Sequence, residues 1–249
     1  MTGPRRTAPS NREAPVLVEP AVLYADDTVL AVDKPAGIIV HGDGTGASTL
    51  TDAVRQLLAD EGRERSAEEL QALMRLDRDT TGIVLFSLSK ATQPLFDRLI
   101  AERKIGKRYL AAVEGSPAWD RRTFDAPIGR DRHDSRKMRV SRTGKPSSTE
   151  ASVLARHRDS AGRPIALLDV LLKTGRKHQI RVHLSAAGFP IMGDALYNPH
   201  AKRGAQLMLH ASRVSFDHPL TGEHIVVSAP YPARFARLFP QPRQRSRRP

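Results

Sequence analysis

Strand-like apolar runs that follow one another along the chain, with few helical stretches between them, constrain this fold more than any other feature. Residues 82–89, GIVLFSLS, are almost continuously apolar over a length typical of a strand, which predicts a strand buried on both sides. Further strands are predicted at residues 29–32, 38–41, 107–115, 148–158, 164–174, 206–216 and 224–229. Helical periodicity is confined to residues 50–60, where Leu50, Val54, Leu57 and Leu58 share a face, and to residues 91–105, 174–185 and 232–238. A turn is expected at Lys34-Pro35-Ala36-Gly37, an acidic linker after residue 60, and an irregular basic surface insertion over residues 120–148. Neighbouring strands of this kind predict an α+β domain with a mixed, mainly antiparallel sheet flanked by helices and loops. Its expected extent is residues 16–239, between disordered basic tails at 1–15 and 240–249 that are rich in Pro, Arg, Ser and Gln.

The 249 residues hold 40 Lys and Arg against 27 Asp and Glu, a formal charge of +13 that is unevenly spread. Residues 16–97 sum to −7, residues 98–145 to +8, and residues 231–249 to +6. A basic surface in the second half suits a polyanion, and with only 5% aromatic residues a phosphate backbone fits better than a lipid surface. The bland alternative is charge that serves only solubility. The chain has no cysteine, which excludes disulfides, thiolate zinc sites and iron–sulfur clusters. With no apolar run near the roughly 18 residues of a membrane span, the expectation is a cytoplasmic protein with no membrane contact.

Four local features could carry chemistry. HGDGTGAST (41–49) lies between a predicted strand and helix, where backbone N–H groups could cradle phosphate. It lacks a Walker lysine, and a tight turn with a helix cap accounts for it better. RLDRDTTG (75–82) places Asp77 and Asp79 in a polar loop entering a buried strand. These carboxylates could hold a cation or serve in acid–base work, or Asp77 could simply pair with an arginine while Asp79 caps a turn. The interleaved Arg75 and Arg78 weigh against a metal, and none is expected. TGRKHQIRVH (174–183) puts His178 and Arg181 three residues apart on a predicted helix, with Arg176 and Lys177 beside them: an anion site or solvated charge. Tyr109 interrupts an apolar strand and on residue type alone is a core residue.

Taken in order, these segments resemble the RluA family of pseudouridine synthases. DKPAGIIVH (33–41), RLDRDTTGIVLFSLS (75–89), KRYLAAVEG (107–115), TGRKHQIRVHLSAAGFPIMGDALY (174–197) and LMLHASRVSFDHPLTGE (207–223) are similar to its successive motifs. Two departures stand out: Met74 where the family commonly has His, and Thr81 where Ser is more usual.

The resemblance implies the pseudouridine synthase fold and isomerisation of specific uridines in rRNA or tRNA, with no cofactor. It implies Asp77 as nucleophile, Arg181 as the arginine that pairs with it and aims it, and Tyr109 as the residue stacked on the target base. It also implies that the base is flipped into the pocket, with Arg75 filling the vacated stack and Arg78, Arg176, Lys177 and His178 contacting RNA. A monomeric, stand-alone catalytic domain without an S4-type RNA-binding domain is expected. The alternative is a noncatalytic RNA-binding or ribosome-assembly factor on the same fold.

Overall fold

A computed structural model describes residues 19–42, 44 and 46–240. The tails expected at 1–15 and, apart from Pro240, at 240–249 lie outside the described residues. In chain order the elements begin with strands β1 (Ala21–Ala25) and β2 (Val29–Lys34), helices α1 (Leu50–Asp60) and α2 (Glu64–Glu69), and strands β3 (Gln71–Ala72) and β4 (Thr81–Ser87). Helix α3 (Gln93–Ala101) leads to strands β5 (Gly106–Glu114), β6 (Arg121–Phe124), β7 (Ile128–Arg130), β8 (Met138–Val140), β9 (Thr149–Arg158) and β10 (Pro164–Leu172). Helix α4 (Gln179–Ala186), strands β11 (Leu209–Asp217) and β12 (His224–Ser228) and helix α5 (Ala233–Ala236) complete the order.

The main sheet runs β1-β2-β4-β11-β5-β10-β9-β6, with β12 beside β11 and β3 beside β4. The join between β4 and β11 is parallel, at His210 opposite Thr81 and Ala211 opposite Gly82, while the other strand pairs are antiparallel. The mixed, mainly antiparallel α+β sheet predicted from the run pattern is therefore what forms.

Strand β4 explains its own sequence. All seven of its residues are buried. Ile83 and Leu85 join Val29, Ala31 and Phe96 of α3 on one face, while Val84 and Phe86 join Leu30, Val32, Val54 and Leu58 of α1 on the other. With apolar layers on both sides, no polar–apolar alternation survives. A third cluster, built on Ala111, Val113, Leu168, Ile180, Leu184 and Phe235, fills the second half of the sheet.

Local chemistry sets the other boundaries. Thr49 caps α1 by accepting the Asp52 N–H at 3.1 Å, and Asp52 returns the bond to the Thr49 N–H at 3.0 Å, so the 41–49 cluster ends in a capping box. Residues 38–41, predicted as a strand, are not one. The Ile39 and Val40 carbonyls accept the Leu50 and Thr51 N–H groups at 2.8 and 3.2 Å, and are spent on the open end of α1 instead of on a neighbouring strand. The acidic linker after residue 60 contains α2 and β3.

Two further expectations are corrected. Residues 120–148 are not an irregular appendage: β6 extends the main sheet, β7 and β8 form a hairpin, and Phe124 and Ile128 are buried. Their core residues are too widely spaced among arginines to show a period. Helix α4 opens at Gln179, not at Thr174. The buried Gln179 amide accepts from Thr174 Oγ1 at 2.7 Å and the Arg176 N–H at 3.0 Å, and donates to the Ser148 carbonyl at 2.9 Å, which folds residues 174–178 back as a loop.

Gly82 sits where β4 and β11 meet, at φ +106°, and a Cβ there would lie 2.2 Å from the Ala211 carbonyl oxygen. Gly44, at φ +86°, faces open space. Gly82→Ala is expected to lose more than about 3 kcal/mol of stability or fail to fold, because strain and a backbone clash add. Gly44→Ala is expected to cost only about 1 kcal/mol, the left-handed penalty alone. Urea denaturation of the two variants separates the cases.

Candidate active site

Asp77 lies in the loop between β3 and β4, and that loop is held by a buried lysine. Lys34, at the end of β2 and wholly inaccessible, donates from Nζ to the carbonyls of Pro35, Ile38 and Arg78 at 2.9, 2.7 and 2.8 Å. Gly37 N–H adds a 2.9 Å bond to the same Arg78 carbonyl, and Arg78 Nε donates to the Gly37 carbonyl at 3.0 Å. The turn predicted at residues 34–37 is thus stitched to the residue next to Asp77. Burial pulls the Lys34 ammonium down to about 8, against the charges of Asp79 and Asp77, which favour its protonation.

Arg181, in the first turn of α4, reaches Asp77 from across the cleft, its Nη1 donating to Oδ2 at 2.9 Å. Its other edge is occupied: Nε and Nη2 donate to the two oxygens of Asp194 at 2.8 Å each. The Asp194 carboxylate is fully inaccessible and also accepts the N–H groups of Leu196 and Tyr197, at 3.0 and 3.1 Å. The Arg181 guanidinium lies over the Tyr197 ring, 5.0 Å from its centroid. Burial disfavours the charge of Arg181, but the two carboxylates outweigh it and drive its pKa further up. Of the five guanidinium N–H groups two are committed to Asp194 and one meets Asp77 at Oδ2, and among the described residues no hydrogen bond reaches Oδ1.

A cleft of about 870 Å³ opens over this pair. Asp77, Tyr109, Arg181, Arg75, Arg176, Lys177 and His178 all line it, so seven of the eight residues that the resemblance assigns to the site converge. Arg78 is the one outside that lining, exposed and turned to the Gly37 carbonyl. Arg176 Nε donates to the Pro146 carbonyl at 3.2 Å. Arg103, Lys107 and Lys173 add positive charge to the walls, while Asp77 is the acid among the lining residues. Tyr109 is 6% exposed, and burial together with the Asp77 charge pushes its phenol far above the usual range, which keeps it protonated. Asp79 is exposed and does not line the cleft. Among the described residues no group of three or more His, Asp or Glu is placed to hold a metal ion.

His178 is not on a helical face as the spacing suggested. It is the N-cap of α4, in the left-handed region at φ +56°, with its Nε2 3.8 Å from Asp77 Oδ1. The two departures from the family pattern are accommodated. Thr81 Oγ1 bonds His210 Nδ1 at 2.8 Å and accepts from Arg234 at 2.6 Å, roles that need only a hydroxyl. Met74 is half-buried and packs against the apolar layers on both faces of β4.

Sequence reasoning missed Lys34, Asp194 and Tyr197. Lys34 looked like one residue of a turn, and Asp194 and Tyr197 fell within a quoted motif with no partner visible. The sequence carried no signal for them, since α4 holds Gln179, His183 and Ser185 beside Arg181 and so did not mark the arginine as buried.

Comparison with known proteins gives the family. Residues 28–186 match the RNA pseudouridylate synthase family. The uncharacterized RNA pseudouridine synthase YlyB of Bacillus subtilis is 34% identical over 238 residues, covering 94% of this chain and 77% of that protein. The ribosomal large subunit pseudouridine synthase D of Xanthomonas campestris pv. campestris is 36% identical over 242 residues, covering 91% and 70%. Among solved structures, human RNA pseudouridylate synthase domain containing 1 superposes with a TM-score of 0.73 at 28% identity, covering 88% of this chain and 86% of that one. A family match over most of the chain, likeness to pseudouridine synthases over about nine-tenths of it and a shared fold place it plainly: this chain belongs to the RNA pseudouridylate synthase family, in its RluA branch, and is an RNA-modifying isomerase.

Proposed function

We propose that residues 16–239 form a catalytic domain that isomerises specific uridines of ribosomal RNA, with Asp77 as the nucleophile. The observation that carries this reading is the Asp194–Arg181–Asp77 chain at the floor of a cationic cleft. Ribosomal RNA is favoured over tRNA by the relatives named for the large ribosomal subunit, such as the D-type enzyme of Xanthomonas. The reaction detaches uracil from C1′ at N1 and rejoins it through C5; C5 gives up a proton and N1 gains one, so no redox partner or group donor is required. The protein acts as a monomer in the cytoplasm.

Each residue then has a physical task. Arg181 holds Oδ2 of Asp77, which leaves Oδ1 to act on the sugar or base. Tyr109, kept protonated, stacks on the base rather than serving as a phenolate. Arg75 is exposed at the cleft and fills the space of the flipped base, while Arg176, Lys177 and the +8 segment at 98–145 grip phosphates without reading sequence. Arg78 contributes from outside the cleft wall.

Purified protein incubated with RNA from a strain lacking its gene, followed by carbodiimide-dependent reverse-transcription stops, is expected to yield discrete new stops in ribosomal RNA. In the Asp77→Asn variant they are expected to fall by about three orders of magnitude, with RNA affinity kept within a few fold. Tight binding with no stops would favour the noncatalytic assembly factor instead. Asp194→Asn turns an amide N–H toward the arginine donors, and is expected to lower kcat by roughly tenfold to a hundredfold while KM holds.

Lys34 adds a pH dependence. Deprotonation near pH 8 leaves an amine with two N–H donors for three carbonyls, so the rate is expected to decline above pH 8 as the Asp77 loop loosens. Because its folded pKa lies below the unfolded 10.5, the unfolded chain holds the extra proton between these values, and this group's contribution to stability rises with pH there. Loss of rate from pH 8 to 10 without a Lys34-driven fall in Tm is the expected signature.

A further inference from the structure

His178 pays for its position with backbone strain, since a non-glycine residue at φ +56° costs on the order of 1 kcal/mol or more. Its backbone does ordinary work, with the carbonyl accepting the Val182 N–H at 2.9 Å to start α4. Its side chain does not cap the helix. The strain instead sends the imidazole into the cleft, between Asp77 and Tyr197.

The ring's two nitrogens are set apart by Tyr197. Tyr197 Oη accepts the Met138 N–H of β8 at 2.8 Å and lies 2.7 Å from His178 Nδ1. One lone pair of Oη is taken by Met138, and the phenol proton has Nδ1 as its acceptor in the described network. The hydroxyl therefore donates to Nδ1, and the ring proton sits on Nε2. Burial lowers the His178 pKa, with Asp77 and Asp194 opposing and Arg181 and Lys177 reinforcing, while burial raises that of Tyr197, so both stay neutral. Nε2–H thus points into the cleft 3.8 Å from Asp77 Oδ1, too far for a hydrogen bond to it.

That donor stands beside the one Asp77 oxygen left free by Arg181. Resting on the isomerase reading, taken with Oδ1 acting at the sugar C1′, we infer that His178 donates from Nε2–H to the ribose 2′-oxygen of the target uridine and that Tyr197 is the positioning residue that fixes this tautomer. The 2′-oxygen is carried on the carbon next to C1′, so a donor just beyond hydrogen-bond reach of Oδ1 is within reach of it. The site would then test the sugar of the flipped nucleotide as well as its base.

The test is equilibrium binding in the Asp77→Asn background, where no turnover intervenes. The probes are a stem–loop RNA carrying the mapped uridine and the same RNA with 2′-deoxyuridine at that one position. The parent is expected to bind the ribose form about tenfold more tightly, the loss of one buried hydrogen bond. His178→Asn, which tolerates the left-handed backbone, and Tyr197→Phe, which keeps the ring under Arg181, are each expected to shrink that ratio below about threefold. A merely structural role would weaken both RNAs alike and leave the ratio intact. Equal affinity of the parent for the two sugars, or an undiminished ratio in His178→Asn, overturns the inference. Either result with isomerisation intact counts against this assignment alone, whereas absence of new pseudouridine with the wild-type protein counts against the isomerase reading.

Discussion

A guanidinium buried between two carboxylates organises this molecule. Arg181 could not sit at the floor of a cleft alone: an unpaired charge there would cost several kcal/mol. Asp194 supplies a bidentate partner wholly inside the protein, and Asp77 supplies the second at the cleft surface. The consequence is directional. With two of its donor positions committed to Asp194, Arg181 has a fixed plane, and the orientation of Asp77 follows from it. Tyr197 completes the arrangement from three sides, with its N–H on Asp194, its ring under Arg181 and its hydroxyl on His178.

The opposite side of the Asp77 carboxylate is set by backbone, not by charge pairing. Lys34 gathers three carbonyls from two loops, which fixes Arg78 and hence its neighbour Asp77 relative to β2. Thr81, the first residue of β4, is in turn tied to His210 of β11 and Arg234 of α5. The Asp77 loop is short and anchored at both ends, as the proposed role of Asp77 requires of a group placed to a fraction of an ångström.

Much of this was legible in the sequence, and the failures have physical reasons. The strand at β4 was visible because burial on both faces leaves an uninterrupted apolar run, and α1 because its apolar spacing and its Thr49 cap agree. Asp77, Tyr109 and Arg181 were legible only as members of ordered motifs; residue type alone favoured a core role for Tyr109. Residues 38–41 misled because their apolar character serves packing while their carbonyls serve a helix end. The 120–148 segment misled because three strands there rest on Phe124 and Ile128 among many arginines. Helix α4 was placed too early because Gln179, a polar residue with no distinctive signal, folds the preceding loop onto itself. Asp194 was hidden although it lies only 13 residues from Arg181 in the same motif, because no periodicity links the loop after α4 back to the helix and the pairing exists only in three dimensions.

The parallel join of β4 and β11 also bears on when the site comes into being. Thr81 and His210 are 129 residues apart, and Asp77 and Arg181 are 104 apart, so both halves of the active site are closed by late, long-range contacts. Closing such loops costs chain entropy before any contact offsets it. During synthesis the first apolar layers, around β2, β4 and α1, can assemble from residues 29–87 alone, whereas the β4–β11 join must wait until residue 211 has been made. A nascent chain therefore folds an acidic first unit before the basic walls and the cleft can close around it, and the site is completed only once residue 211 has been made.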